Sequence, residues 1–399
     1  MRPHAGQERK APGVAGNVGE VRLACQRLRA RDNCKHRLRP DRNARRGASA
    51  PPPQIVRPSV HGHNHLMTRP LPELPADPLE RFISIGAALE EGRGWTESAL
   101  AFRFATAALV TTQGSPNEIA NGLRAVADDL KARAGWFGPM RSSIRFLVAA
   151  ILLRNAIDPA AFDAACSEIN DGLRERKLRR NRSHALLAAL ILVNNDQQRM
   201  ESAQLDRMAE VFLAMKEHHP WITNAGDYAP CALLATTDTG IPEMMQRIEA
   251  AYEGLRQRGY SRGDRLQRAS HLMFFNPAED RIATDRFDAL FHAFKQQGLW
   301  MHGGDYDEMA ILSFVDAAPD NVVGCVLDHR EKISALRPRP GKEISFSLAC
   351  GTAFLELARG SVGDILDTAQ LLQLQAILDA QTAAVIASTS AASAASSSG

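Results

Sequence analysis

The chain has 399 residues, 45% apolar and 23% charged, a globular balance that excludes collagen-like and disulfide-scaffold classes. No run approaches the ~18 consecutive apolar residues of a membrane helix. The net charge of +3 conceals two unlike parts: residues 1–66 carry 14 Lys/Arg against 4 Asp/Glu, and residues 67–399 carry 34 against 41, so the body is acidic.

Residues 1–66 contain runs such as RLRARDNCKHRLRP and ASAPPPQIVRP and show no apolar period. High charge with low hydrophobicity predicts a disordered basic head. It lacks the 7–15-residue apolar core of a secretory signal, and Met67 is an alternative start that would leave the head outside the protein. His61, His63 and His65 alternate as HGHNH, but no further ligand stands with them, so no metal site is expected there. The six cysteines, at 25, 34, 166, 231, 325 and 350, form no CxxC or CxxH. That pattern suits a reducing cytoplasm and argues against zinc; no metal and no cofactor is expected.

From there the chain alternates two kinds of segment. LAFRFATAALV is apolar nearly all round. Ile119, Leu123, Val126, Ala127 and Leu130 then form one helical stripe. SIRFLVAAILL is followed by the stripe Phe162, Ala165, Cys166, Ile169, Leu173, and HALLAALILV by Leu205, Met208, Ala209, Phe212, Leu213. APCALLA precedes Ile241, Met244, Met245, Ile248, Tyr252 and Leu255, and SHLMFF precedes Phe287, Leu290, Phe291 and Phe294. EMAILSFV, the weaker stripe Val322, Val326, Ile333, Leu336, and FSLACGTAFLEL complete the series. Ala108, Ala150, Ala189, Ala232, Ala310 and Cys350, central in the all-apolar segments, stand 42, 39, 43, 78 and 40 residues apart, the 78 spanning the SHLMFF unit. A period near forty predicts an all-α array of about six helix pairs over residues 75–375. Helices apolar on every side need cover on every side, which favours a strongly curved α-solenoid or an α/α toroid. The Ala/Ser-rich tail, 376–399, is expected to be a helix that frays into disorder.

The junctions repeat as well. Trp136, Leu178, Trp221, Tyr260 and Trp300 follow the striped helices at steps of 42, 43, 39 and 40, with Gly135, Gly259 and Gly298 before three of them. Glycine in the left-handed region followed by a large apolar residue is a Schellman stop, the expected structural role. Ser183, Asp227 and Asp305 stand where the next helix needs an N-cap. The rival reading makes Trp221, Asp227, Tyr228, Trp300, Asp305 and Tyr306 a ligand rim, Trp stacking while Asp and Tyr hydrogen-bond. Arginine-rich stretches containing Arg174, Arg176, Arg179, Arg180 and Arg256, Arg258, Arg262, Arg265, Arg268 alternate with these junctions and suit a small anionic ligand or an acidic partner protein. Nucleic acid is disfavoured by the acidic body.

No phosphate loop, dinucleotide fingerprint, HExxH or nucleophile elbow is present. HHPWITNAGDYAPCALLA, AAYEGLRQRGYSRGDRLQRASHL and LLQLQAILDAQTAAVIASTSAASAASSSG resemble the bacterial family called domain of unknown function four thousand and three, over roughly residues 75–399. The resemblance implies an all-helical protein and supplies neither substrate nor catalytic residues. The residues thus point to a helical-repeat binding or interaction module. The alternative is an enzyme with a toroid cavity that uses Asp227 or Asp305 as acid/base on a polar substrate, with His184 or His271 nearby.

Overall fold

A computed structural model describes residues 74–95, 97–135, 139–178, 182–195 and 202–362. The chain divides into two units, Met1–Asn64 and His65–Gly399, and every described residue belongs to the second. The basic head, Met67, Trp136, Arg179, Arg180 and the tail at 376–399 lie outside the described residues.

The described residues form fourteen α-helices and no strand. In chain order they are α1 (Pro78–Glu91), α2 (Ala99–Leu109), α3 (Pro116–Arg133), α4 (Ile144–Arg154), α5 (Pro159–Glu175), α6 (Arg182–Asn195) and α7 (Ser202–His218). Then follow α8 (Tyr228–Ala235), α9 (Ile241–Gln257), α10 (Asp264–Met273), α11 (Asp280–Gln296), α12 (Tyr306–Leu312), α13 (Pro319–Ser334) and α14 (Lys342–Val362). No described helix is long and apolar enough to cross a membrane.

Odd-numbered helices bury one stripe, as Phe162, Ala165, Ile169 and Leu173 do on α5. Even-numbered helices are buried nearly all round; α4 buries every residue from Ile144 to Leu152. The two kinds are those read from the sequence, with two corrections. Leu213 falls off the α7 stripe and is 52% exposed. And α1, inside the expected domain but ahead of the first apolar segment read there, has Leu79, Phe82, Ile85 and Leu89 as its buried face. With α1 in place, the repeating unit is a striped helix followed by a buried one, and there are seven such pairs among the described residues.

Local chemistry sets the helix ends. Five odd helices carry proline in the first turn, where its fixed φ suits the helix and its missing N–H would have had no partner. Asp77 Oδ1 accepts from the Glu80 N–H at 2.8 Å, and Ser115 and Glu118 form a reciprocal capping box. At the other end, Lys177, Gly259 and Gly298 take positive φ, and the N–H groups of Leu178, Tyr260 and Leu299 reach back to Leu173, Leu255 and Phe294 oxygens at 2.9, 3.3 and 3.2 Å. The Schellman role is therefore right for Leu178 and Tyr260. It is wrong for the tryptophans: after Gly298 the apolar contact is Leu299, one residue before Trp300, and no left-handed residue precedes Trp221. Gly135 is not left-handed either.

Each even helix packs on the odd helix before it and on its even neighbours. Consecutive odd helices also touch, and arginine–aspartate pairs bridge them: Arg176–Asp206, Arg247–Asp280 (3.1 Å), Arg258–Asp285 and Arg286–Asp316. The succession of contacts returns to its start, because α14 packs against α1 and α2 as well as α12 and α13. Arg103 donates to the Pro338 carbonyl and Arg359 Nη1 to the Ala76 carbonyl at 3.0 Å across this junction.

In an open array, removing the last helix deletes a single end interface. Here α14 covers both ends of the helix series. A chain ending at residue 341 is expected to lose more than about 10 °C of melting temperature, or its cooperative transition altogether; a shift of only a few degrees in calorimetry would contradict the mutual dependence of the first and last helices.

Candidate functional site

Every even helix is followed by an odd helix that carries the chain back, so the even helices run in one direction and their N-termini gather at one end. That end holds His184 of α6, the Asn224–Asp227 turn before α8, and Asp264, Gln267 and Arg268 in the first turn of α10. It also holds the His302–Asp305 turn and Asp307 and Glu308, which open α12, and Ser345 of α14. Acidic side chains are favoured there because unpaired N–H groups give a helix N-terminus partial positive charge.

Asp227 and Asp305 do not cap as the sequence suggested. Each is the third residue of a short 3-10 turn and folds back onto the residue that opens it. Asp227 Oδ2 accepts from the Asn224 N–H at 2.8 Å while Asn224 Oδ1 accepts from the Gly226 N–H at 2.9 Å. In the second copy Asp305 Oδ2 accepts from the His302 N–H at 2.8 Å, and His302 Nδ1 from the Gly304 N–H at 3.1 Å. The motif legible only afterwards is thus Asn/His-x-x-Asp, with the cap three residues earlier than expected. Ser183 lies within the first turn of α6, so it is not the residue preceding that helix.

The tyrosines are not rim residues. Tyr228 is fully buried, with its ring 5.1 Å from Phe212. Tyr306 packs among Tyr260, Phe287 and Phe291, and its hydroxyl accepts from the Ser261 N–H at 3.3 Å. Both follow the capping Asp by one residue, which turns them inward. The tryptophans go the other way: Trp221 is 96% exposed and Trp300 88%. Trp95, ahead of α2 at the same register and 41 residues before Trp136, is 95% exposed and was missed because the series was started one unit late.

The basic stretches are largely absorbed by structure. Arg176 and Arg258 bridge to the next odd helix, and Arg174 and Arg256 pair within their own helices at 3.2 and 2.5 Å. Arg262 and Arg265 remain exposed, and Arg265 lies over the Gly303–Gly304 turn, where a side chain at Gly304 would meet its guanidinium. Carboxylates thus occupy Arg174, Arg176, Arg256, Arg258 and Arg268, while Arg262 and Arg265 of the expected rim stay exposed and Arg179 and Arg180 lie outside the described residues.

The groups that do converge are acids and amides on α10, α12 and α14. Arg268 Nε donates to Asp307 Oδ2 at 2.6 Å, and Gln267 Nε2 donates to Thr223 Oγ1 at 3.2 Å. Gln267 Oε1, His271 Nδ1, Asp307 Oδ1, Glu308 Oε2 and Ser345 Oγ are all buried without a hydrogen-bond partner. A buried polar atom left unpaired costs on the order of 1–3 kcal/mol, and five such atoms fall on these three helices. Burial, with Asp307 alongside, pushes the Glu308 carboxyl up to about 7. Burial, with Asp264 adding, pushes Asp227 up to about 6 against its hydrogen bond from Asn224. Burial also raises Asp305. It drives His271 down to about 3, helped by His219 and Arg268, and it lowers His184. Asp227, Asp305, His184 and His271, the acid/base set read from the sequence, are all perturbed, and Glu308 joins them: a Glu in a first helical turn gives no sign in the sequence that it is buried.

A second constellation lies between α13 and α14. Cys325 and His329, four residues apart on α13, face Glu356 of α14, and their ligating atoms all lie within 4.8 Å of one another. The Cys-x-x-x-His spacing is neither CxxC nor CxxH, so it carries no zinc signature in the sequence. All four described thiols are shifted upward: burial pushes Cys166 up to about 12 and Cys325 likewise to about 12, with Glu356 and Asp328 adding, and raises Cys231 and Cys350 strongly.

The opposed shifts have a measurable sign. As pH falls below the ordinary 6.5 of histidine, the unfolded chain protonates His271 and the folded chain does not, so stability is lost on the way toward about pH 3. Glu308 and Asp227 act oppositely: the folded state holds their protons longer, so stability present at acid pH is lost as pH rises toward about 7 and about 6. Replacing His271→Met removes only the first slope. Urea unfolding between about pH 7 and pH 4 should show the variant gaining on the wild type as pH falls, by up to about 1.4 kcal/mol per pH unit. A difference that stays constant with pH would mean that His271 titrates normally.

The profile of the family described as "Protein of unknown function (DUF4003)" matches residues 88–383, from the last turn of α1 past the end of α14. The curated "Uncharacterized protein YeaA" of Bacillus subtilis (strain 168) is 22% identical over 269 residues, covering 66% of this chain and 80% of that protein. No solved structure matches. The matched span takes in nearly the whole helical array and the polar end built on it, and the chain belongs to the DUF4003 family, whose function is unknown.

Proposed function

We propose that the chain is an α/α toroid, residues 75–375, that binds a small polar ligand at the end where the even helices begin. The observation that carries this reading is the set of five unpartnered buried atoms on three successive even helices. Four of them are oxygens, so the ligand they favour is rich in hydrogen-bond donors, an amine or a polyol, rather than an anion. The closed form is supported by the contact of α14 with α1 and α2, which leaves no even helix at a free end. The exposed Trp95, Trp221 and Trp300 stand at the loops leading into that end and supply flat apolar faces against which a ligand or a partner protein can stack.

The enzymatic alternative is favoured by one pair. Asp307 is held by Arg268, while burial pushes its neighbour Glu308 up to about 7, and a carboxyl that keeps its proton near neutral pH beside a second carboxyl is the usual equipment of acid/base chemistry. In this version Glu308 is the acid and Asp307 the base. Asp227 and Asp305 instead hold the turns beside them, since each commits one oxygen to a backbone N–H.

A thermal-shift panel of polyols, monosaccharides and small amines tests the site with wild type, Glu308→Gln and Trp300→Ala. The expected result is that one chemical class raises the melting temperature of the wild type and not that of Glu308→Gln. At pH 8 the unliganded Glu308→Gln protein should be as stable as wild type or a few degrees more so, because it no longer buries a charge. If Glu308→Gln instead lowers the melting temperature by several degrees and no compound distinguishes it from wild type, the cluster is structural.

A further inference from the structure

We propose that Cys325, His329 and Glu356 form a three-ligand site for a zinc-like divalent cation joining α13 to α14, with its fourth position facing solvent. Cys325 and His329 are one helical turn apart and so project from the same face of α13. Glu356 meets them from α14. His329 Nε2 lies 2.9 Å from Glu356 Oε2 and 3.8 Å from Cys325 Sγ. Tetrahedral zinc with bonds of about 2.3 Å to sulfur and about 2.0–2.1 Å to nitrogen and oxygen sets its ligand atoms about 3.3–3.6 Å apart. Accommodating the ion thus needs His329 Nε2 and Glu356 Oε2 to part by about half an ångström and Cys325 and Glu356, whose ligating atoms lie within 4.8 Å of each other, to close by up to about 1.2 Å. The Glu356 side chain, 47% exposed, has the freedom to make these shifts.

The hydrogen bonds around the ring point the same way. Thr352 Oγ1 lies 3.1 Å from the Leu348 carbonyl and 3.2 Å from the Ala349 carbonyl, so its proton is directed into its own helix. Its oxygen lies 2.9 Å from His329 Nδ1 and can only accept there, so Nδ1 carries the ring proton. In a neutral imidazole that leaves a lone pair on Nε2 aimed at a carboxylate oxygen, two acceptors face to face. A cation shared by Nε2 and Glu356 removes the conflict and gives Cys325 a role. The orienting bond from Nδ1 to a buried hydroxyl is the outer-shell support that ligating histidines normally have. An imidazolium paired with Glu356 would also remove the conflict, but it gives the sulfur nothing to do. The donor set of one sulfur, one nitrogen and one oxygen selects zinc over magnesium or calcium, which prefer oxygen alone.

A site here would act where the fold closes, because α14 is the helix that contacts α1 and α2. Cobalt(II), which replaces zinc and reports thiolate ligation by charge-transfer absorption, is the probe for the metal-stripped full chain. The wild type should take up one more equivalent of cobalt than Cys325→Ser and show a thiolate band that the variant lacks, with added zinc displacing both. Comparing with Cys325→Ser cancels uptake by the HGHNH stretch and the other cysteines. Glu356→Gln, at a half-exposed position that should not disturb folding, is expected to weaken cobalt binding by at least ~10-fold, and Thr352→Val by about 10-fold through the ring orientation. Equal uptake and equal bands in wild type and Cys325→Ser, or equal affinity in wild type and Glu356→Gln, would overturn the site and leave His329 and Glu356 as an ordinary ion pair.

Discussion

A helix without a polar face has to be covered on every side, and the arrangement of this protein depends on that constraint. The even helices are built largely from Ala, Leu, Ile, Val and Phe, with charged residues such as Asp264, Asp307, Glu308 and Glu343 in their first turns, and Ala150, Ala189, Ala232 and Ala310 at their centres are fully buried. Small residues at the midpoint let neighbouring even helices approach closely, while the larger residues on either side fill the space against the odd helix. Each even helix has three sets of neighbours: its own odd partner and the even helices before and after. At the ends of a linear array that demand would go unmet. The contact of α14 with α1 and α2 meets it.

The same constraint creates the polar end. Even helices that all point one way bring their N-termini together, and there the backbone offers donors that call for acidic partners. Asp227 and Asp305 answer part of that demand by folding onto backbone N–H groups. Asp307 and Glu308 stand in the same kind of position but lie further inside, where water is excluded. Desolvation then competes with the helix-end attraction and wins at Glu308, whose carboxyl is raised rather than lowered. His271, two turns into α10, is kept neutral by the same exclusion of water. The outer surface follows different rules. There arginine–aspartate pairs run between successive odd helices about 30 residues apart in sequence. Such exposed pairs contribute little each and fix the spacing of neighbouring units more than they stabilise the fold.

The sequence by itself determined the helix types, the repeat near forty residues and most helix ends, because these rest on local periodicity and on residues such as Pro159 and Gly259 whose backbone preferences act within one turn. It also carried the family resemblance. It did not reveal α1, whose stripe begins at Pro78 ahead of the first apolar segment, nor the inward turn of Tyr228 and Tyr306 beside outward-facing Trp221 and Trp300. Only tertiary structure decided which charged residues lose their water. Arg258 and Arg268 have the same spacing signal in the sequence, yet one pairs on the surface with Asp285 and the other inside with Asp307. Glu308 and Glu343 both open an even helix, and only Glu308 is buried. Cys325, His329 and Glu356 likewise meet only because two helices pack face to face. Burial is a property of what lies across the interface, 30 or more residues away in the chain, and no local pattern of residues encodes it.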